Sequence, residues 1–406
     1  MKRVIAVFTG NRAEYGLQYP ILKAIQAHPA LEYQLLVSGA HLDPNFGRTL
    51  DEIAADGFEI HAEVKIDMAA DDQASATAKA IGSGTIAISD ALARLKPDML
   101  VVYADRFEGF AAVIAGSQMN IPTAHIEGGD ITEGGALDDS VRHAMTKLAH
   151  LHFTTNQQAS NRVLAMGEEA WRVHTVGFPA IDMIAAGNVA TAEELIAQYA
   201  IDPGRPLVLF TQHAVTTEVA AAAEQIRPSL AALTALAAEG VQVIVTYPNN
   251  DAGAQAIIGE IDALGRQSVP GIQIHRSLGR YNYHGVLALA RDPAWRVCCA
   301  GNSSSGIKET PAFGCPTVNI GSRQQGRLRG GNVLDAGYDA AAIEAAIRTC
   351  LFDEAFRRLC AGCENPYGIG DAGIKVAEVL ASVPLDQRLI RKRMMLAGEA
   401  RDGWYR

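Results

Sequence analysis

The sequence predicts an α/β protein built from two doubly wound, Rossmann-like domains facing a cleft, and three observations carry that prediction. Short β-branched runs alternate with longer Ala- and Leu-rich stretches from one end of the chain to the other. The strand candidates are continuously apolar, as parallel strands covered on both faces are. At 406 residues the chain exceeds the roughly 100–200 of one ordinary domain.

Taken in order, strand candidates at 4–8, 33–37, 99–103 and 123–126 are separated by helix candidates at 19–27 and 75–95 and followed by one at 140–149. The pattern starts afresh near residue 205. There Asp202-Pro203-Gly204-Arg205-Pro206 introduces an apolar strand after an isolated helix at 191–200, which puts a domain boundary between about 183 and 203. Strand candidates at 206–210, 241–246, 296–300 and 317–320 then alternate with helix candidates at 217–239, 253–264 and 282–290. This gives a first domain over 1–183 and a second over 184–365. In open parallel sheets ligands bind beyond the carboxyl ends of the strands, so the loops after residues 8 and 300 are the expected rims of the cleft.

Charge narrows the function. With 35 Lys+Arg against 45 Asp+Glu, the net charge of −10 argues against a nucleic-acid surface, and an anionic ligand must meet locally placed cations. The opening MKRVIAVFTGNR holds a five-residue apolar run, too short for a signal peptide or a membrane span, so a cytoplasmic protein is expected. The six cysteines, all from Cys298 onward, form no framework; Cys360 and Cys363 have the spacing of half a zinc site with nothing to complete it. Neither a metal nor a cofactor is expected. The tail from Arg388 is basic and amphipathic, and ordinary surface packing accounts for it.

Gly301-Asn302-Ser303-Ser304-Ser305-Gly306-Ile307-Lys308-Glu309 follows a strand and opens a helix-like segment, a place where free amides and hydroxyls suit a phosphate. A serine N-cap would be the plainer reading. Asp105 and Glu127 stand at strand ends, and Asp138 and Asp139 precede the helix carrying Arg142. Carboxylates so placed can move protons once burial or like charges adjust them, although the aspartates could equally be helix caps. Glu127, between Ile126 and Gly128, has no capping position and is the best acid or base candidate. His213 lies just past the strand at 206–210, while His125, His150 and His152 sit in apolar surroundings and read as packing residues. Arg12, Arg106 and Arg323 are the cations nearest to strand ends; the run Arg327 to Arg329 could equally be a solvated loop.

Thr9-Gly-Asn-Arg-Ala-Glu-Tyr-Gly16, Ala104-Asp-Arg106, His125-Ile-Glu-Gly-Gly129, Asp138-Asp-Ser-Val-Arg-His143, His213-Ala-Val-Thr-Thr-Glu218, Tyr247-Pro-Asn-Asn-Asp251, Gly301-Asn-Ser-Ser-Ser-Gly306 and Gly321-Ser-Arg-Gln324 together resemble the hydrolysing UDP-N-acetylglucosamine 2-epimerases, in family order over residues 1 to about 380. The resemblance implies the GT-B type fold, with a C-terminal segment, 366–406, packing back onto the first domain; 372–381 is its helix candidate. It implies anti elimination of UDP from UDP-N-acetylglucosamine to 2-acetamidoglucal, then water addition to release N-acetylmannosamine, in a cytoplasmic homodimer that makes sialic-acid-type sugars. By the same resemblance Asp105, Glu127 and Asp138 handle protons and charge, and His213 assists the leaving diphosphate or a proton. Arg12, Ser303, Ser304 and Arg323 hold phosphates, Glu309 the ribose hydroxyls and Asn249 the sugar, with Arg106, Arg142 and Ser305 completing the substrate-binding set. Three features depart from the pattern: a long stretch between Glu127 and Asp138, which leaves Asp138 and Asp139 interchangeable; Ala214 in place of a frequent proline; and the tail after about 385. A relative acting on UDP-N,N'-diacetylbacillosamine, for legionaminic acid, shares nearly all the motifs. The same residues are compatible with a non-hydrolysing epimerase, a retaining glycosyltransferase or a non-catalytic nucleotide-sugar sensor.

Overall fold

The computed structural model describes residues 2–42, 49–66, 75–132, 137–249 and 252–396. The chain divides into two compact units, one of Met1–Asp130, Leu137–Asp182 and Tyr367–Arg406, the other of Ile131–Ala136 and Met183–Pro366.

In the first unit, seven parallel strands form one sheet: β1 (Arg3–Thr9), β2 (Leu31–Ser38), β3 (Ile60–Val64), β4 (Met99–Tyr103), β5 (Thr123–Ile126), β6 (Leu151–Thr154) and β7 (Val173–Thr175), in the order β3-β2-β1-β4-β5-β6-β7. Every residue of β4, β5 and β6 is buried, which is why their runs are apolar without alternation. Apolar side chains cover both faces, Val7, Val101 and Ile126 belonging to one cluster and Phe8, Leu100 and Val102 to the other. The helix Arg12–Ala27 starts where the Asn11 side chain accepts from the Glu14 amide at 3.0 Å, satisfying one of the orphan donors of its first turn. Against it packs the helix Ala372–Ser382, close enough at Gly373 that a Cβ there would stand 2.6 Å from the Pro20 carbonyl oxygen. Asp182 caps that second helix from elsewhere in the fold, accepting from the amides of Ala372 at 3.0 Å and Gly373 at 2.7 Å.

The second unit repeats the plan with six parallel strands: β8 (Leu207–Thr211), β9 (Gln242–Thr246), β10 (Ile272–His275), β11 (Val297–Gly301), β12 (Thr317–Ile320) and β13 (Val333–Ala336), ordered β10-β9-β8-β11-β12-β13. The sequence reading missed β3, β6, β7, β10 and β13. Four of these, β3, β7, β10 and β13, are the edge strands, where exposure admits polar residues such as Glu63, Gln273 and Asp335 and interrupts the apolar run. Among the described residues no helix is long and apolar enough to cross a membrane.

The basic tail packs on the surface of the first unit and is anchored there by two buried contacts. Leu389 is fully buried, and Arg172, also fully buried, donates to the carbonyl oxygens of Leu389 and Arg388 at 2.7 Å each. Lys392 reaches Glu168 at 2.7 Å and the Ala149 carbonyl at 2.6 Å. Arg388, Arg391 and Arg393 stay exposed, Arg388 lying over the Trp171 ring, so among the described charges of the tail it is Lys392 that is drawn inward. The six cysteines are free, five of them buried.

Candidate functional site

Strand order places the functional loops. In each sheet the first strand in sequence has the second on one side and a strand from later in the chain on the other, so two loops diverge at the carboxyl edge between them, leaving room for a ligand. In the first unit that point lies between β1 and β4, and in the second between β8 and β11.

At the first point, Ala104 leaves β4 with a positive φ of 55°, and Glu127 leaves β5 with a φ of 66°. Left-handed backbone costs a non-glycine residue about 1 kcal/mol or more and persists where its surroundings enforce it. Here His125 does so: its Nε2–H donates to the Ala104 carbonyl at 2.6 Å, and its Nδ1 faces the Thr146 hydroxyl at 3.1 Å. Burial lowers the pKa of His125 to about 3, so it stays neutral and keeps that tautomer. It is a packing residue that aims the next one, Asp105. Glu127 is buried, its amide donating to Phe153 O at 2.8 Å. Burial raises the Tyr103 phenol well above 10, and the neighbouring carboxylates of Glu127 and Asp130 raise it further.

Arg142, 3 % exposed, binds the Asp105 carboxylate through Nη2 and the Asp139 carboxylate through Nη1 at 2.5 Å, with a further bond of 2.9 Å to the Asp130 carbonyl. The helix Leu137–Leu148 sets Asp139 and Arg142 three residues apart on one face, a spacing at which the two side chains meet. Asp138 is exposed and within electrostatic reach of Arg106. Arg142, expected to touch substrate, is instead enclosed by protein groups and positions carboxylates. Arg106 is half exposed and paired with buried Glu108 at 3.3 Å. Arg12 is exposed and paired with Glu52 at 2.8 Å.

Two residues of this unit escaped the sequence reading. Glu14 is buried, accepts from the Gly10 amide at 2.9 Å, and has its pKa raised to about 8 by burial and by Glu108. His41 is buried between Thr9 at 3.0 Å and Thr49 at 2.8 Å, and burial lowers its pKa to about 4. The available signal for Glu14 was its place three residues after the cap Asn11; nothing local marks His41.

At the second point, Gly301 has a φ of 124°, and a Cβ there would fall 1.9 Å from the Thr211 carbonyl oxygen, so only glycine lets the two loops meet. Beyond it Asn302 clamps His213, accepting from its amide at 2.6 Å and donating to its carbonyl at 2.9 Å. The Asn249 amide donates to His213 Nδ1 at 3.0 Å, which leaves the proton on Nε2. Burial first, and the nearby Arg323 second, lower the His213 pKa to about 3. Arg323 donates to the Asn302 carbonyl at 3.2 Å. His213, Asn302, Arg323 and the Asn249 backbone therefore converge, while the Asn249 side chain is exposed.

The serine loop differs from expectation. It opens only the four-residue helix Ser305–Lys308, followed by the 3-10 turn Thr310–Phe313, and a single turn has little aligned dipole to offer an anion. Ser303 and Ser304 are half-buried. The Ser305 hydroxyl donates to Glu309 Oε2 at 2.8 Å, and that oxygen also meets His284 Nε2 at 2.9 Å. Burial alone would raise the Glu309 pKa, but these partners bring it below the usual value. Ser305 is thus a positioning group, and His284, on the helix Gly279–Ala288, is a partner the sequence reading did not find. Arg327 and Arg329 are not solvated either: Arg327 donates to the Ile131 carbonyl at 2.9 Å, and Arg329 pairs with Asp335.

A sequence model described as UDP-N-acetylglucosamine 2-epimerase matches residues 23–381. The UDP-N,N'-diacetylbacillosamine 2-epimerase (hydrolyzing) of Legionella pneumophila is 33% identical over 392 residues, 97% of this chain and 99% of that one. The UDP-N-acetylglucosamine 2-epimerase of Neisseria meningitidis serogroup B is 33% identical over 350 residues, 86% of this chain and 87% of that one. Among solved structures, UDP-GlcNAc 2-epimerase from Neisseria meningitidis bound to UDP-GlcNAc superposes with a TM-score of 0.76 at 19% identity, covering 93% of this chain and 99% of that one, which shows the shared fold.

Proposed function

The chain belongs to the UDP-N-acetylglucosamine 2-epimerase family, and from that premise we propose that it is a hydrolysing 2-epimerase of a UDP-linked 2-acetamido sugar, UDP-N-acetylglucosamine in the first instance. The observation that carries the reading is the buried, neutral His213 with its proton on Nε2 beside Arg323: a donor and a cation that need no reorganisation to meet a departing diphosphate. The C2 proton is not acidified by a carbonyl. The barrier must therefore fall by stabilising the leaving group and the positive charge growing at C1.

The step balances simply. The C2–H bond breaks toward a carboxylate, the C1–O bond breaks toward the diphosphate, and the 1,2-alkene forms; water then adds across it to release the C2-inverted free sugar. Asp105, Glu127 and Asp138 are assigned to the proton transfers and to charge at C1. Asp138 is preferred over Asp139 because it is exposed, whereas Asp139 is enclosed with Arg142. Ser303, Ser304, Arg323 and Arg12 are assigned to the diphosphate, and the free oxygen of Glu309 to the ribose hydroxyls. A diacetamido sugar is the second reading, favoured by the Legionella relative that spans 97% of the chain.

Incubation with UDP-N-acetylglucosamine, and separately with the diacetamido sugar nucleotide, in deuterated water tests the assignment. Free UDP and a free sugar inverted and deuterated at C2 are expected. Retention of UDP on the epimerised sugar would assign a non-hydrolysing epimerase, and UDP binding without turnover a sensor.

A further inference from the structure

At the amino edge of the second sheet lies a cavity of about 460 Å³, within the range of small-molecule sites. It is lined by residues just before β8, β11 and β12 and by the helix Glu354–Ala361. His213, Asn302 and Arg323 stand at the opposite edge; the five residues of β11 separate the two ends by about 13 Å at 3.3 Å per residue.

The chemistry of its lining is one-sided. Five arginines, Arg205, Arg291, Arg296, Arg357 and Arg358, meet a single carboxylate, Glu354. In a chain carrying a net charge of −10 this local excess runs against the field of the whole. Glu354 is itself largely exposed, and its partner is Arg357 at 3.2 Å. Arg357 is braced by the Trp295 carbonyl at 2.8 Å, and Arg291 by the Ala312 carbonyl at 3.0 Å and the Phe313 ring. Such bracing preorganises guanidinium groups for a bidentate anion. Arg296 lies over Phe352, and Arg358, exposed, has no side-chain partner among the described residues. Trp295, Pro293 and Pro316 add an apolar wall.

We propose that this cavity is a second ligand site, separate from the reaction, that binds a phosphate-bearing small molecule. The arginines clamp the phosphate and the tryptophan and prolines cover the rest. Surface ion pairing cannot account for the cluster, since four of the five arginines have no carboxylate beside them in the cavity.

Calorimetric titration of inorganic pyrophosphate into protein saturated with UDP reads this site alone. One further pyrophosphate per chain is expected, with affinity falling as salt rises. Arg358→Glu and Arg296→Glu should each weaken it at least tenfold while UDP affinity and melting temperature stay unchanged. Arg358 is exposed and unpartnered, so its variant should fold. If UDP fails to bind, the proposed function fails, yet the Arg358 comparison still reads this cavity. No second-site heat, or a second-site affinity unmoved by both substitutions, would overturn the proposal.

Discussion

The Asn249 amide occupies Nδ1 of His213, and burial keeps the ring uncharged, so this histidine can give a hydrogen bond through Nε2 without being able to shuttle protons between its nitrogens. His213→Ala should therefore lower kcat by about 100-fold, the scale of a lost oxyanion donor, while the pH profile of kcat/KM above pH 5 keeps its shape. The limbs of that profile belong to carboxylates. Asp105→Asn, Glu127→Gln and Asp138→Asn should each cost at least ~100-fold in turnover with UDP affinity nearly unchanged by calorimetry. An Asp138→Asn enzyme of normal activity would remove that residue from the reaction. Asp105, Glu127 and His213 were legible as residues at strand ends. Arg142 was visible only as a cation, because what encloses it comes from β4 and the loop holding Asp130, which linear spacing does not reveal.

The tail shows the same limit at the scale of an element. Arg388-Leu-Ile-Arg-Lys-Arg reads as ordinary surface packing, but nothing in the run shows that its carbonyls are received by Arg172, whose own position before β7 gives no hint of that duty. Arg172→Met keeps the bulk and removes every donor. It should destabilise the protein by about 3 kcal/mol, the scale of breaking a buried charged network. The tail should also open: trypsin cuts after Lys392 slowly in the parent, where Lys392 is held by Glu168 and the Ala149 carbonyl, and quickly in the variant. Equal cleavage rates would show that the tail does not depend on Arg172. The alternation of strands and helices, by contrast, was readable in buried strands such as β4, β8 and β11, and failed at the edges, where β10 and β13 carry half-exposed polar residues, and at the short buried β6, whose four residues include His152 and Thr154.

Across the whole molecule the histidines whose pKa burial lowers furthest are unevenly shared. His41, His125, His150 and His152 lie in the first unit with pKa values lowered by burial to about 4, 3, 4 and 4, whereas the second holds His213 at about 3, its other buried histidine, His284, being paired with Glu309. Each lowered histidine is neutral when folded and titrates near 6.5 when unfolded, so the unfolded state binds more protons below pH 6.5. Their contribution to stability is full above pH 6.5 and is lost as pH falls toward 4, at about 1.4 kcal/mol per pH unit for each histidine. Glu14, with its pKa raised to about 8, works the other way: folding favours its protonated form, so its contribution grows as pH falls from 8 toward 4.5 and offsets one of the four. The first unit still loses stability faster on acidification than the second. Pulse-labelling deuterium exchange at one fixed pH, after equilibration at each pH from 7 to 4, should find peptides of β1, β4 and β5 exposed before those of β8, β9 and β11. Glu14→Gln keeps that position neutral at every pH, so it should stabilise the first unit near pH 7 and leave its stability below pH 4.5 unchanged, with the second unit unaffected. Simultaneous exposure of both sets, or earlier exposure of the second, would mean that these histidines do not decide where acid unfolding begins.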